Sequence, residues 1–113
     1  MSEVNGDSKQ LRAIVETIVQ VARPEQVILF GSRARATARG ESDYDFLVVM
    51  RGVQNERQVS RRIYRALLER RAGVAVDVVV VDVSALERHR NNPFCVYRQA
   101  LQQGRVIYDH RAV

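Results

Sequence analysis

The sequence predicts a small α/β (α+β) domain in which one mixed β-sheet is flanked by helices. Runs rich in β-branched and aromatic residues lie at 27–30, 43–50 and 74–81, and such runs are typical of buried strands. The segments between them carry apolar residues at helical spacing, so helices are expected to pack on the sheet. Residues 1–8 are predicted to be a flexible N-terminus, and 9–113 a single domain with one core.

The first third of the chain predicts a helix, a strand and a short helix. The first helix is indicated by apolar residues that share one helix face: Leu11, Ile14, Val15, Ile18 and Ala22. Pro24 marks its end. The strand at 27–30 is stopped by Gly31 and Ser32, and the Arg- and Ala-rich stretch at 33–39 can form a short helix.

The middle of the chain predicts strand, helix and strand. The strand at 43–50 is ended by Arg51 and Gly52. An amphipathic helix that closes near Gly73 is indicated by a stripe of apolar residues: Val59, Ile63, Ala66 and Leu67. Residues 74–81 are then predicted to form the third strand.

The C-terminal part predicts two helices and an edge strand. Ser84 and Glu87 have the spacing of a capping box, so a helix is expected to start at Ser84 and to be broken by Pro93. A further helix, ending at Gly104, is indicated by its apolar stripe: Phe94, Tyr97, Ala100 and Leu101. Residues 105–108 are predicted to form the edge strand.

Charge and cysteine content limit the possible partners and sites. The formal charge is +5 and the sequence pI about 10.1, and Lys9 is the single lysine among the cationic residues. This excess of arginine favours anionic partners without naming one. Cys95 is the only cysteine, and His89 and His110 lie in charged segments that are expected to be exposed, so a metal site would have to use carboxylates. No apolar run approaches the roughly 20 residues that cross a bilayer, and a cytoplasmic protein without membrane contact is expected.

Two aspartates on the second predicted strand are the first candidates for chemistry. Asp43 and Asp45 are two apart, so their side chains leave the same face of the strand, and Tyr44 points to the other face. Two carboxylates that lie so close together repel each other unless a cation lies between them, and Mg²⁺ prefers such oxygen ligands. Taken alone, the pair is more simply interpreted as solvated acids at a strand edge.

Gly31 and Ser32 lie where a strand turns into a predicted helix, a position that attracts phosphate. Gly31 lets a phosphate approach the backbone, and the Ser32 hydroxyl either binds a phosphate oxygen or caps the helix, which is the more frequent role. Ten residues separate Ser32 from Asp43, enough for a short helix and a return loop. The combination is stronger evidence for a site than either part.

Gly31 and Ser32, the ten-residue gap and then Asp43-Tyr44-Asp45 resemble the signature of the nucleotidyltransferase superfamily typified by DNA polymerase β. More narrowly, the sequence around these residues is similar to the minimal nucleotidyltransferase (MNT) antitoxins that are encoded beside HEPN ribonuclease toxins. The resemblance implies the polymerase β-like fold. It also implies transfer of a nucleotide, in which an acceptor hydroxyl attacks the α-phosphorus of a nucleoside triphosphate and pyrophosphate leaves.

The family has a third carboxylate on the next core strand, for which Asp77 and Asp82 are the candidates. Asp77 matches the family position inside the strand, where its apolar neighbours predict burial, whereas Asp82 is interpreted as a loop or capping residue. By resemblance, Asp43 and Asp45 bind two Mg²⁺ ions, and Asp77 completes one metal site or takes the acceptor's proton. Arg33 and Arg35 are candidates for contacts to the triphosphate, with a solvated helix surface as the alternative.

The resemblance to MNT antitoxins further implies ATP as donor, a HEPN toxin as partner and a tyrosine hydroxyl of that toxin as acceptor, so that adenylylation blocks the ribonuclease. The alternative is a non-catalytic antitoxin that neutralises its toxin by binding alone. A patch formed by Arg57, Arg61 and Arg65 on one helix face is either a partner surface or an ordinary solvated helix. Aromatic residues make up only 6% of the chain, so direct nucleic-acid binding is not expected.

Overall fold

A computed structural model shows the predicted combination of helices and one mixed sheet, and it describes residues 9–31, 43–90, 92 and 96–112. The short helix predicted at 33–39 lies outside these ranges, as does Cys95. The elements of the described residues are α1 (Lys9–Ala22), β1 (Gln26–Phe30), β2 (Tyr44–Met50), α2 (Glu56–Glu69), β3 (Val76–Asp82), α3 (Val83–His89), α4 (Val96–Gln103), β4 (Arg105–Asp109) and the short 3₁₀ turn His110–Ala112.

The sheet brings together strands that are far apart in sequence. The order of the strands in the described part of the chain is β3-β2-β1-β4, with β1 antiparallel to both of its neighbours. β2 and β3 run parallel and are joined by the crossover helix α2. Because β2 and β3 are parallel, both strands start at the same end of the sheet. β4 is an edge strand, as predicted.

Helices cover both faces of the sheet, and each face has its own apolar cluster. α1 and α2 pack on one face, against alternate residues of the strands such as Leu29, Phe46 and Val80. α3 and α4 lie on the other face, where Leu47 and Val81 are buried. The period of two along each strand therefore decides which cluster a side chain joins. Odd-numbered residues of β2 and β3 face α3 and α4.

The start of α3 differs from the prediction. A helix capped by Ser84 was expected, but α3 begins at Val83 and its N-cap is Asp82, whose Oδ2 accepts hydrogen bonds from the Ser84 backbone N–H at 3.0 Å and from the Ser84 hydroxyl at 2.7 Å. Asp82 Oδ1 accepts a third bond from the Val53 N–H at 3.1 Å. The carboxylate outcompetes the hydroxyl because its two oxygens satisfy both α3 and the loop after β2. The capping role expected for Asp82 is confirmed.

Asp82→Asn is expected to lower stability at neutral pH and to lose this effect in strong acid. The bonds from Ser84 and Val53 lower the pKa of Asp82 from 3.8 to about 2, so its contribution is complete above pH 3.8 and is lost as the pH falls through about 2. An asparagine keeps only one acceptor oxygen. Urea unfolding of both proteins across this range tests the prediction, which fails if their difference in unfolding free energy does not shrink in acid.

The outer edge of β3 is protected by a tyrosine. Tyr64 of α2 lies over this edge, where its hydroxyl accepts a hydrogen bond from the Val78 N–H at 2.7 Å and contacts the Val78 carbonyl oxygen at 3.5 Å. Free N–H and C=O groups on an edge strand invite pairing with another chain. The Tyr64 hydroxyl covers the backbone N–H and C=O groups of Val78, although the tyrosine itself is 40% exposed.

Tyr64→Phe is expected to destabilise the fold by about 1 kcal/mol, because the half-buried Val78 N–H loses its partner. Tyr108→Phe is a matched control: the Tyr108 side chain is half-buried, and no hydrogen bond joins its hydroxyl to another described residue. Chemical denaturation should therefore show a loss for Tyr64→Phe and almost none for Tyr108→Phe. Equal losses in the two variants would contradict the capping role of the Tyr64 hydroxyl.

Candidate functional site

Two carboxylates from different strands lie side by side at the starts of β2 and β3. Asp45 and Asp77 are direct partners in the parallel register of these strands. Both occupy odd-numbered positions, so both side chains project from the face that carries α3 and α4. Neighbouring strands are about 4.8 Å apart, which places the two carboxylates next to each other. Although 31 residues separate the two aspartates in sequence, the β2-α2-β3 crossover brings them together in one site.

Asp43 lies just before β2 and is exposed, while Asp45 is half-buried. The pKa of Asp45 is raised above its ordinary value, first by the desolvation that accompanies burial and then by the negative charges of Asp77 and Asp43. The electrostatic coupling shows that the three carboxylates share one region of the surface. Asp77 was expected to be buried because its neighbours in the strand are apolar, but it is exposed because it lies near the start of an edge strand.

Gly31 brings the end of β1 against this pair. It directly follows Phe30, the register partner of Asp45, and adopts a φ of +76°, which is strained for any residue with a side chain. A Cβ atom at Gly31 would collide with the Asp45 carboxylate oxygen Oδ2. The glycine therefore leaves room for the carboxylate, an aspect of its position that the sequence pattern did not indicate. Ser32, Arg33 and Arg35 lie outside the described residues.

The donor set suits a divalent cation that also binds a substrate. In the described part of the chain, no group of three or more His, Cys, Asp or Glu side chains is arranged to hold a metal ion by itself. Mg²⁺ does not need such a cage, because it commonly uses one or two carboxylates and completes its coordination with water and phosphate oxygens. Burial and the charges of Asp77 and Asp43 raise the pKa of Asp45, and a bound cation would offset both effects.

Other polar candidates are separate from this site. Asp82 caps α3, as described above. His110 is exposed as expected, but His89 is half-buried, and its ring centroid lies 6.1 Å from that of Tyr97. The exposure expected for His89 is wrong because α4 packs on α3 and covers the histidine. No described helix is long and apolar enough to span a bilayer.

A polar depression of about 440 Å³ lies between α1 and the end of α2, on the face opposite Asp45. Several of its polar groups are already engaged. Arg70 donates to the Thr17 hydroxyl at 3.0 Å and to the Gln20 side chain at 2.7 Å, and the Thr17 hydroxyl donates to the Ala13 carbonyl at 2.9 Å. These bonds join α1 to α2, so the depression is explained by helix packing.

The comparisons with known proteins agree with this geometry. The family model described as "Polymerase beta, Nucleotidyltransferase" matches residues 12–112. The chain belongs to this nucleotidyltransferase family. Its match spans β1, β2 and β3, and hence Gly31 and all three aspartates. No curated protein sequence matches the chain.

Solved structures show the same fold. A candidate nucleotidyltransferase from Sulfolobus solfataricus superposes with a TM-score of 0.60 at 24% identity, over 95% of this chain and 94% of the other. A toxin–antitoxin structure with AMP-PNP gives a TM-score of 0.54 at 19% identity, over 93% of this chain and 77% of the other. A mutant of the toxin–antitoxin pair MntA-HpeT, with two aspartates changed to glutamates, gives 0.57 at 16% identity with the same coverage.

One surface feature of this nucleotidyltransferase has only a weak signal in the sequence. The exposed side of α2 carries Leu68, which is 80% exposed. The arginines of α2 were candidates for a partner surface from the sequence, whereas Leu68 was not. The available signal is that Leu68 directly follows Leu67, so only one of the two can belong to the buried stripe that also contains Ile63.

Proposed function

We propose that this nucleotidyltransferase is an antitoxin that transfers AMP from ATP to a tyrosine hydroxyl of a HEPN ribonuclease toxin in the cytoplasm. The observation that carries the proposal is the pairing of Asp45 with Asp77 across two parallel strands, with Gly31 against Asp45. Support for the toxin partner comes from the fold shared with two toxin–antitoxin structures, and support for an adenine nucleotide comes from the AMP-PNP in one of them.

Asp43, Asp45 and Asp77 would hold Mg²⁺ in this proposal, most simply as two ions. When bound, the metal neutralises the phosphates and lowers the pKa of the acceptor hydroxyl. Gly31 allows the end of β1 to approach the site, and Ser32, Arg33 and Arg35 would contact the triphosphate. The half-buried Asp45 would be the metal ligand that the surrounding structure holds in place. The exposed Asp77 is open to an acceptor that arrives from solvent.

The reaction forms one bond and breaks one. The tyrosine oxygen attacks the α-phosphorus of ATP in line with the leaving group, the bond between the α-phosphorus and its bridging oxygen to the β-phosphorus breaks, and pyrophosphate leaves. The phenolic proton passes to Asp77 or to solvent. Asp77 is suited to receive it because its carboxylate is exposed beside Asp45. The product is a toxin tyrosine that carries AMP through a phosphodiester bond.

A purely binding antitoxin is less well supported. Asp45 is half-buried beside two like charges that raise its pKa, which costs folding free energy at neutral pH when no cation is bound. A module that only covers its toxin has no use for such a cluster. One of the related structures is of a mutant in which two aspartates two positions apart became glutamates, the same spacing as Asp43 and Asp45 in this chain.

The test is the intact mass of the protein encoded by the neighbouring gene, after incubation with this chain, Mg²⁺ and each nucleoside triphosphate in turn. One or more added AMP units with ATP are expected. A variant with Asp43→Ala and Asp45→Ala should add none, whereas Glu16→Ala, which removes an exposed carboxylate of α1, should act as the wild type does. Tight binding to the neighbouring protein without any mass gain would leave only the binding function.

A further inference from the structure

The outer side of α2 is unusually cationic for a helix that also exposes apolar side chains. Residues 56–71 contain six arginines and two glutamates. Only Ile63 and Leu67 of α2 are buried, and Arg61 and Arg65 are exposed. Neither of these arginines forms an ion pair with another described residue. Their charges are thus available to a partner.

An apolar groove of about 370 Å³ lies between the end of α2 and the start of β3, whereas Arg61 and Arg65 line a neighbouring depression earlier along the same helix. It is lined mainly by Tyr64, Leu67, Leu68, Ala72, Val74 and Val76, with Arg71 at its rim. Leu68 is 80% exposed and Tyr64 40% exposed. An exposed leucine in an apolar groove with a charged border has the composition of a protein-binding surface.

The groove lies at the same end of the sheet as the three carboxylates, where β2 and β3 start. Val76, which lines the groove, immediately precedes Asp77 in β3. Successive residues of a strand point to opposite faces of the sheet, so the groove and the Asp77 side chain lie on opposite faces of β3. A protein bound in the groove would therefore lie close to the candidate site, and only strand β3 would separate the protein from Asp77.

We propose that the α2–β3 groove, with Arg71 at its rim and with Arg61 and Arg65 next to it along α2, docks an acidic segment of the acceptor protein, with an apolar side chain of that segment against Leu68. This inference rests on the proposed function only for the identity of the docked protein. Guanidinium groups without ion pairs complement carboxylates, and such complementarity both steers association and fixes register. Apolar contact at Leu68 supplies the desolvated centre that protein interfaces use.

Two other occupants fit the surface less well. A nucleic acid would bind the arginines through its phosphates but would leave the apolar side chain of Leu68 without a matching partner. A second copy of this chain would bring two arginine-rich faces together, and like charges at an interface are unfavourable. The proposed occupant is the one that uses both the charge and the apolar groove.

The experiment measures the Kd of this chain for the neighbouring gene's protein by calorimetry, without any nucleotide, so that binding is separated from transfer. Leu68→Ser and the pair Arg61→Glu with Arg65→Glu are expected to weaken binding about 10-fold or more each. Arg12→Glu makes the same kind of charge change on the exposed side of α1 and should leave Kd within about 2-fold of the wild-type value, as expected for a charge outside the interface. All substituted residues are exposed, so the variants are expected to fold, and circular dichroism checks this.

The inference is overturned if the wild type does not bind, or if the groove variants bind as well as the wild type does. Loss of binding in the arginine pair but not in Leu68→Ser would indicate charge attraction alone, and preferential binding of an RNA oligonucleotide would identify the other anionic ligand. A wild-type dimer in sedimentation that Leu68→Ser dissociates would also overturn it. The proposed function fails in a different way: the variants behave as expected here, but no AMP is added to the bound protein.

Discussion

Asp45→Asn is expected to abolish nucleotide transfer and at the same time to stabilise the metal-free protein. Transfer should fall on the order of 10³-fold or more, because a ligand of the phosphate-neutralising metal is lost. Stability should change in the opposite direction at neutral pH. The raised pKa of Asp45 means that its charged form is less favourable in the folded state than in the unfolded chain, and asparagine has no charge to desolvate.

The pH dependence of this stabilisation has a definite sign. A carboxyl group whose folded pKa lies above its ordinary value of 3.8 destabilises the fold at neutral pH, and this cost disappears as the pH falls through the raised pKa toward the ordinary one. The advantage of Asp45→Asn should therefore be greatest near neutrality and should vanish in acid. Urea unfolding at several pH values without divalent cations measures it.

Mg²⁺ and a second aspartate provide the controls for Asp45→Asn. Mg²⁺ should raise the Tm of the wild type, because binding to the folded state stabilises it, and should raise that of Asp45→Asn much less. Asp109 has the opposite environment: hydrogen bonds from Gln26 and Arg111 lower its pKa, so Asp109→Asn should lose stability at neutral pH. If Asp45→Asn is the less stable protein without metal, or responds fully to Mg²⁺, the interpretation of the site is wrong.

Gly31→Ala is expected to damage both the fold and the site. Its φ of +76° costs a residue with a side chain about 1–2 kcal/mol, and the new Cβ would collide with the Asp45 carboxylate. Relief of that collision requires Asp45 or the end of β1 to move, which adds about 1–2 kcal/mol of strain. Displacement of Asp45 from Asp77 should also reduce transfer by about 10²-fold, since small misplacements of a catalytic group are costly.

Gly52→Ala is the matched control for Gly31→Ala. Gly52 has nearly the same backbone conformation, with a φ of +72°, but a Cβ there meets no atom within 4 Å. It should cost only the conformational part, about 1–2 kcal/mol, and should retain full transfer activity per folded molecule. Denaturation and transfer assays on both variants separate the two effects. Equal losses of activity in the two variants would show that the contact between Gly31 and Asp45 has no functional importance.

Much of the fold could be predicted because local patterns and tertiary packing agree. The alternation along β2 predicts that Tyr44 and Asp45 face opposite sides, and the structure places Tyr44 in the cluster under α1 and α2. The apolar stripe of α2 likewise predicts Ile63 and Leu67 as its buried residues. These features depend on the periods of strands and helices, which the order of residues determines directly.

Predictions failed where groups far apart in sequence compete for one position. Ser84 has the spacing of a cap, but Asp82 caps α3 because it also binds Val53, a residue 29 positions away. Asp77 looked buried from its apolar neighbours, yet it is exposed because β3 is an edge strand. His89 looked exposed, yet α4 packs beside it. Strand order and helix docking decide such cases, and neither is a local property.

The sequence by itself determined the class of fold, the strand faces and the candidates Gly31, Asp43 and Asp45, because each follows from spacing along the chain, and its resemblance to the family indicated Asp77. Tertiary structure alone decided that Asp45 and Asp77 are register partners, that Gly31 must lack a Cβ to admit the Asp45 carboxylate, and that Leu68 borders an arginine-rimmed groove. The physical reason is that contact between side chains depends on how the parallel crossover pairs β2 with β3, a choice made by the packing of the whole domain.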